Sequence, residues 1–417
     1  MKCLLTYLFV LCISWVVPQA GDFPATIPRF IFPSDDNGDP SKPVSAFVQE
    51  AGFAFEEHKV RTTDGYILTL WRIFRKDKLK GYPVILQHGI LDNGYTFLLA
   101  GPRNSFALYL ARKGYDVWIS NSRGQTFSLE HDEKYWWFNP FSKYWDFSFH
   151  EMGVYDFPAI VEHVKQITGL KKVNYVAHSQ GATHYFVKGS FDPDYINENI
   201  ETFVGIGPAM FVQPHTSTFV NNLAEFRVFD ALYSVGANNF MVLPENILAQ
   251  FESICRNYPS LYYEVVPRIS GYTKKSRFNI KRWPTLCAKL PGGTSAKCLL
   301  HWMQIIRSGE KFQMFDYGAE KNMEKYNQTT PKEYNTERLK LIKVPTLLLI
   351  GTSDGLISEH GVQKILKLLK NDDKDQVLEL VKLDDYSHMD YTWGVEAIKD
   401  VYPQIERFLK RNLKKAI

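Results

Sequence analysis

From Phe53 onward, short apolar runs alternate with amphipathic ones along the chain. "EEHKVRTTDGYILTLWRIF" alternates apolar and polar positions on either side of Thr63-Asp64-Gly65, which predicts a hairpin. "YPVILQHG", "YDVWISNSRG", "KVNYVAHSQG" and "ETFVGIGPA" each carry a compact apolar run, as strands buried on both faces do. Helical spacing fills the gaps, at 102–113, in "FHEMGVYDFPAIVEHVKQITG" with Gly169 as its stop signal, and in "ATHYFVKGS". Strands separated by helices predict βαβ units and a mostly parallel sheet covered by helices on both faces, an α/β fold.

The pattern changes at Pro208. Residues 209–330 lose the strand rhythm and become rich in aromatics. Phe219, Leu223, Phe226, Phe229 and Tyr233 fall at helical spacing as one apolar stripe, which suits core packing and a lipid-facing lid equally well. Buried strands return in "VPTLLLIGTSDG" and "VLELVKLDDYSHMD", with helical segments near 359–370 and 394–413. One α/β core, interrupted by a helical insertion, accounts for this order. It divides the chain into a core at 48–208, an insertion at 209–330 and the rest of the core at 331–417, with an irregular arm at 21–47.

Composition narrows the class. The chain has 417 residues, 45% of them hydrophobic, enough for a large core. A net charge of +4 is spread along the sequence, with no basic block interleaved with aromatics, which excludes nucleic acid as the expected partner. Lys2 followed by the apolar run 3–17 and small residues to Ala20 predicts a secretory signal peptide over 1–20. The run is short for a membrane span, and no other stretch is long and apolar enough. Secretion or lysosomal delivery follows. Removal of the signal takes Cys3 and Cys12 and leaves Cys255, Cys287 and Cys298, enough for one disulfide and one odd thiol. The short spacing favours Cys287 with Cys298. Asn327-Gln328-Thr329 is an N-glycosylation sequon.

The chemistry gathers at the ends of the predicted strands. "VNYVAHSQGAT" is a strand, a turn and a helix start, close to the Gly-x-Ser-x-Gly nucleophile elbow, with Ala177 in place of the first glycine. Such an elbow projects its serine from a tight turn, so Ser179 is the candidate nucleophile. A serine hydroxyl needs a base, and the base needs an orienting acid. Asp354 follows "TLLLIG" and His388 follows "VLELVKL", in the order Ser, Asp, His and at the same sheet edge. Gln180 supplies one backbone N–H for an oxyanion hole, and Ile90, after "PVILQHG", the other.

These stretches resemble the acid lipase family, which includes gastric lipase and lysosomal acid lipase. The resemblance is carried by "LQHGILDN", "NSFALYLARKGYDVWISNSRGQTFS", "WDFSFHEMGVYDFPAIVEHV", "YVAHSQGAT", "PGGTSAKCLLHWMQIIRSGEKFQMFDYG", "VPTLLLIGTSDGLIS" and "YSHMDYTWG". It spans about 50–405 and is weakest at about 209–285. It implies an α/β-hydrolase core with a helical cap and lid, and the roles of nucleophile, acid and base for Ser179, Asp354 and His388. It implies no metal and no cofactor, with a lipid ester as substrate. The cap cysteines depart from the family's pattern, so its disulfide does not carry over.

Other readings stand beside these. His88, His178 and His184 crowd the elbow and suit packing or hydrogen bonding better than proton transfer. His215, His301 and His360 have no metal-ligand spacing. Asp384, Asp385 and Asp390 flank His388 and compete with Asp354 as its acid. Arg123 in "NSRGQTFS" suits a loop held by an arginine. In function, a hydrolase of small soluble esters or thioesters, and a catalytically silent lipid-binding relative, are the alternatives to a lipase.

Overall fold

The computed structural model describes residues 39–77, 81–133, 139 and 141–413. The signal segment 1–20, with Cys3 and Cys12, and the arm up to residue 38 lie outside the described residues. The part of the arm that is described is not all irregular, because Val44–Glu50 is a helix.

Among the described residues the main sheet has nine strands. In chain order the strands are β1 (Ala54–Arg61), β2 (Tyr66–Phe74), β3 (Pro83–Gln87), β4 (Asp116–Ser120), β5 (Glu130–His131), β6 (Val173–His178), β7 (Ile200–Ile206), β8 (Asn239–Phe240), β9 (Thr294–Ser295), β10 (Thr346–Gly351) and β11 (Leu378–Leu383). The spatial order is β1-β2-β4-β3-β6-β7-β10-β11, with β5 on the flank of β2. β1, β2 and β4 pair antiparallel, and every pair from β4 through β3 to β11 is parallel. The small β8–β9 pair is separate and antiparallel.

Successive side chains on a strand point to opposite faces, and the core divides accordingly. Ile85, Trp118, Tyr175 and Leu348 enter one apolar cluster. Their neighbours Val84, Val117, Val176 and Leu347 enter another on the opposite face. Helices cover both, including Phe157–Thr168 and Gln180–Phe191 against the first cluster and Phe106–Arg112 and Tyr402–Leu413 against the second. This is why the central strands read as continuous apolar runs.

Between β7 and β10 the chain is mainly helical. The apolar stripe at 219–233 is not one helix, because Arg227 takes a left-handed conformation (φ 50°) between helices Thr218–Glu225 and Val228–Ser234. Phe229 is buried while Phe226 is 61% exposed, so the five residues do not share one environment.

The cysteine expectation is corrected. Cys255, on helix Glu245–Asn257, is bonded to Cys287, on helix Trp283–Lys289. Cys298 is a free, buried thiol. Between Cys287 and Cys298 the chain leaves one helix, crosses Pro291-Gly292-Gly293 and β9, and enters helix Ala296–Arg307. That passage carries Cys298 into the other apolar cluster from Cys255 and Cys287. Nearness in sequence is therefore not nearness in space here.

Candidate active site

Ser179 stands between β6 and the helix Gln180–Phe191 with φ 54° and ψ −125°, a region that few residues other than glycine occupy. Three backbone hydrogen bonds hold it there. Its N–H donates to Ile206 O at 3.0 Å, and its carbonyl accepts from Ala182 N–H at 3.0 Å and Ala209 N–H at 3.2 Å. The neighbours must be small. A Cβ on Gly181 would lie 2.6 Å from Gln87 O, and one on Gly89 would lie 2.9 Å from Ser179 Cβ. Ala177 is tolerated for a visible reason: its in-register partner on β7 is Gly205, which has no side chain to meet the methyl.

Asp354 follows β10 and His388 follows β11, both buried. His388 Nδ1 lies 2.8 Å from Asp354 Oδ2. A carboxylate there can only accept, so Nδ1 carries the proton and Nε2 is the basic nitrogen of the neutral ring. Three further donors fix Asp354: Tyr391 OH at 2.9 Å to Oδ2, and the N–H groups of Leu356 and Ile357, each at 2.9 Å to Oδ1. Tyr391 is itself aligned by accepting Gly351 N–H at 2.7 Å. Gly207 packs against the pair. It directly follows Ile206, which holds Ser179 N–H, and a Cβ on it would sit 3.2 Å from both His388 Cε1 and Asp354 Oδ2.

Two of the three competing carboxylates are otherwise engaged. Asp390 accepts from Ser387 N–H at 2.8 Å and from the Thr273 hydroxyl at 2.7 Å, capping the turn that carries His388. Asp385 is exposed and paired with Lys274.

The three crowded histidines divide by partner. The His88 ring lies between Gly89 O (Nδ1, 2.8 Å) and Ser122 N–H (Nε2, 3.1 Å). It therefore donates from Nδ1, and its grip on the Gly89 carbonyl orients the planar peptide whose other end is the Ile90 N–H. Burial pushes the His88 pKa down to about 4, so this tautomer persists well below neutrality. His178 donates from Nε2 to His388 O at 2.9 Å, and burial, then the neighbouring His388, holds its pKa well below the ordinary value. His184 has no hydrogen bond to either ring nitrogen among the described residues.

Gln180 is the first residue of its helix, where amides have no intrahelical acceptor. Its side chain is turned away and held, accepting from Trp302 Nε1 at 2.7 Å and from the Cys298 thiol at 3.2 Å. Arg123 is buried between Asp64 and Asp156 and locks the loop after β4.

Known proteins share this chain's sequence over most of its length. It is 33% identical to Lipase 1 of Drosophila melanogaster, over 88% of this chain and 79% of that one. It is 34% identical to gastric triacylglycerol lipase of Bos taurus, over 91% and 94%. Residues 44–101 match the partial alpha/beta-hydrolase lipase region, and 82–252 the alpha/beta hydrolase fold. The chain belongs to the acid lipase family. This acid lipase is a carboxylic ester hydrolase. In fold it is similar to a carboxylesterase of Nitrososphaera gargenis, with a TM-score of 0.50 at 13% identity, covering 86% of this chain and all of that one.

Sequence reasoning missed two features of the acid lipase site. Tyr391 lies in the motif "YSHMDYTWG", three residues after His388, and that spacing was its only signal. Ser270, whose carbonyl accepts Gly355 N–H at 2.9 Å and His388 N–H at 3.0 Å, lies where the resemblance is weakest, and no pattern marked it.

Proposed function

We propose that this acid lipase hydrolyses esters of water-insoluble neutral lipids, triacylglycerols or cholesteryl esters, through an acyl-enzyme on Ser179. The supporting observation is the Asp354–His388 hydrogen bond on Nδ1, which leaves Nε2 as the basic nitrogen, together with a serine held in a strained turn. Ser179 Oγ attacks the acyl carbonyl and gives its proton to His388. Asp354 keeps the ring in one tautomer and offsets the imidazolium charge. The N–H groups of Ile90 and Gln180 receive the oxyanion. The alcohol leaves with the proton from His388. Water, deprotonated by the same ring, then cleaves the acyl-enzyme.

The substrate class is supported by the similarity to a gastric triacylglycerol lipase over nearly the whole chain. The helical segment 209–330 is the cap and lid. Residues 1–20 direct the chain into the secretory pathway, for secretion or lysosomal delivery. The Cys255–Cys287 bond suits an oxidising compartment. Asn327 is exposed at a helix end, accessible for a glycan.

A hydrolysis panel tests the substrate. Emulsified triacylglycerol, emulsified cholesteryl ester and a short soluble ester are compared, with Ser179→Ala as control. The expected result is turnover of an emulsified ester that rises sharply once substrate exceeds its solubility. Turnover of the soluble ester alone, with no such rise, would instead make this a small-ester hydrolase.

A further inference from the structure

The two loops that carry Asp354 and His388 are joined by a piece of the helical segment. Helix Leu261–Ser270 ends beside them. A helix's last carbonyls have no partner within the helix, and here the carbonyl of Ser270 takes two from outside. It accepts Gly355 N–H at 2.9 Å and His388 N–H at 3.0 Å. One buried oxygen thus links the residue after the acid to the base itself.

The chain that follows continues the contact. Gly271 has φ 96°, and a Cβ there would lie 2.1 Å from Ser353 O and 2.5 Å from Gly355 N. The Thr273 hydroxyl donates to Asp390, whose other oxygen caps the His388 turn. Arg277 donates to the carbonyls of Asp384 and Asp385, stacks over the Tyr386 ring at 3.9 Å, and pairs with Glu396 at 3.0 Å. Ser270, Thr273 and Arg277 are all buried. The whole stretch lies inside the loop closed by Cys255–Cys287.

We propose that Ser270–Arg277 is a positioning strap that sets the Asp354–His388 geometry, so that the segment between β7 and β10 governs the chemical step as well as substrate entry. This rests on the assignment of Asp354 and His388 as acid and base. The two loops already touch directly, Ser353 N–H donating to Tyr386 O at 3.2 Å and Asp385 N–H to the Thr352 hydroxyl at 2.8 Å, and the strap adds a tie from outside the sheet. The strap ties them to one oxygen and grips the entrance of the histidine turn. Small displacements of a catalytic group cost up to about 100-fold in rate.

A double-mutant cycle tests this on a short soluble ester, so that lipid adsorption plays no part. Gly271→Ala pushes the strap off the Asp354 loop, and kcat is expected to fall about 10- to 100-fold with KM unchanged. In a His388→Ala background, where the base that both the strap and Asp354 position is already lost, Gly271→Ala is expected to cost less than about twofold more. Folding is checked by circular dichroism, and if Gly271→Ala does not fold, Arg277→Ala is read against the same outcomes. Multiplying effects in the double mutant, or a change confined to KM, would overturn the strap. A Ser179→Ala enzyme that stays active would overturn the underlying mechanism instead, so the two failures are distinguishable.

Discussion

Tyr391 shows how much of the site rests on a side chain outside the Ser, Asp and His set. Its hydroxyl accepts Gly351 N–H and donates to Asp354 Oδ2. Tyr391→Phe keeps the ring and removes both bonds, stranding a buried N–H. We expect a stability loss of about 1–3 kcal/mol by urea denaturation, the usual cost of one unpaired buried group. We also expect kcat to fall about tenfold as Asp354 loses a donor; unchanged stability and kcat would remove Tyr391 from the site. At this scale the sequence was legible where chemistry demands a residue type in a fixed order. The placement of Ser179, Asp354 and His388 after strand ends was readable, because the strands before them are runs rich in apolar residues. Tyr391 was not, because a tyrosine is ordinary core material until its hydroxyl's partners are seen. Ala177 was legible as a departure from the glycine pattern, but its tolerance depends on Gly205 across the sheet.

Among the elements, strands were easier to read than the helices between β7 and β10. Burial on both faces writes an unbroken apolar run, as in Leu347–Ile350, and such a run has few other uses. The stripe at 219–233 broke at Arg227 because helical spacing does not report a left-handed residue. The cysteine pairing was hidden for a related reason: it depends on how helices Glu245–Asn257 and Trp283–Lys289 pack. Closing a loop with a sequence separation of 32 residues restricts the unfolded chain by about 3–4 kcal/mol in the chain-entropy picture. Cys287→Ser is therefore expected to lower the urea midpoint clearly, whereas Cys298→Ser leaves the crosslink in place. A Cys287→Ser midpoint equal to that of the wild type would contradict the pairing.

Over the whole molecule, buried imidazoles set the response to acid. Burial lowers the pKa of seven histidines: His88, His150, His163, His178, His184, His215 and His301. His184 and His301 go down to about 3 and His88 to about 4. In the unfolded chain each titrates near about 6.5. Between about pH 6.5 and 4 the unfolded state thus binds more protons, and stability falls as pH falls. Four carboxyls raised by burial, Asp92, Asp156, Glu201 and Asp390, oppose this, but the histidines are more numerous. The thermal midpoint is expected to drop from pH 6.5 to 4, and His184→Gln to flatten the slope. A midpoint that rises over that range would contradict the balance. The fold class was legible at this scale because strand and helix order dictate a parallel sheet. The joining of the Asp354 and His388 loops by Ser270 was not, since it pairs residues about 80 to 120 positions apart.

The central claim is that Ser179 is an activated nucleophile. An organophosphonate carrying an alkyl ester, followed by mass spectrometry of the labelled peptide, tests it most directly. The account predicts one phosphonyl group on Ser179, loss of esterase activity in step with labelling, and no label on Ser179→Ala. Labelling at another residue, or unlabelled Ser179 in an enzyme that still turns over ester, would contradict it.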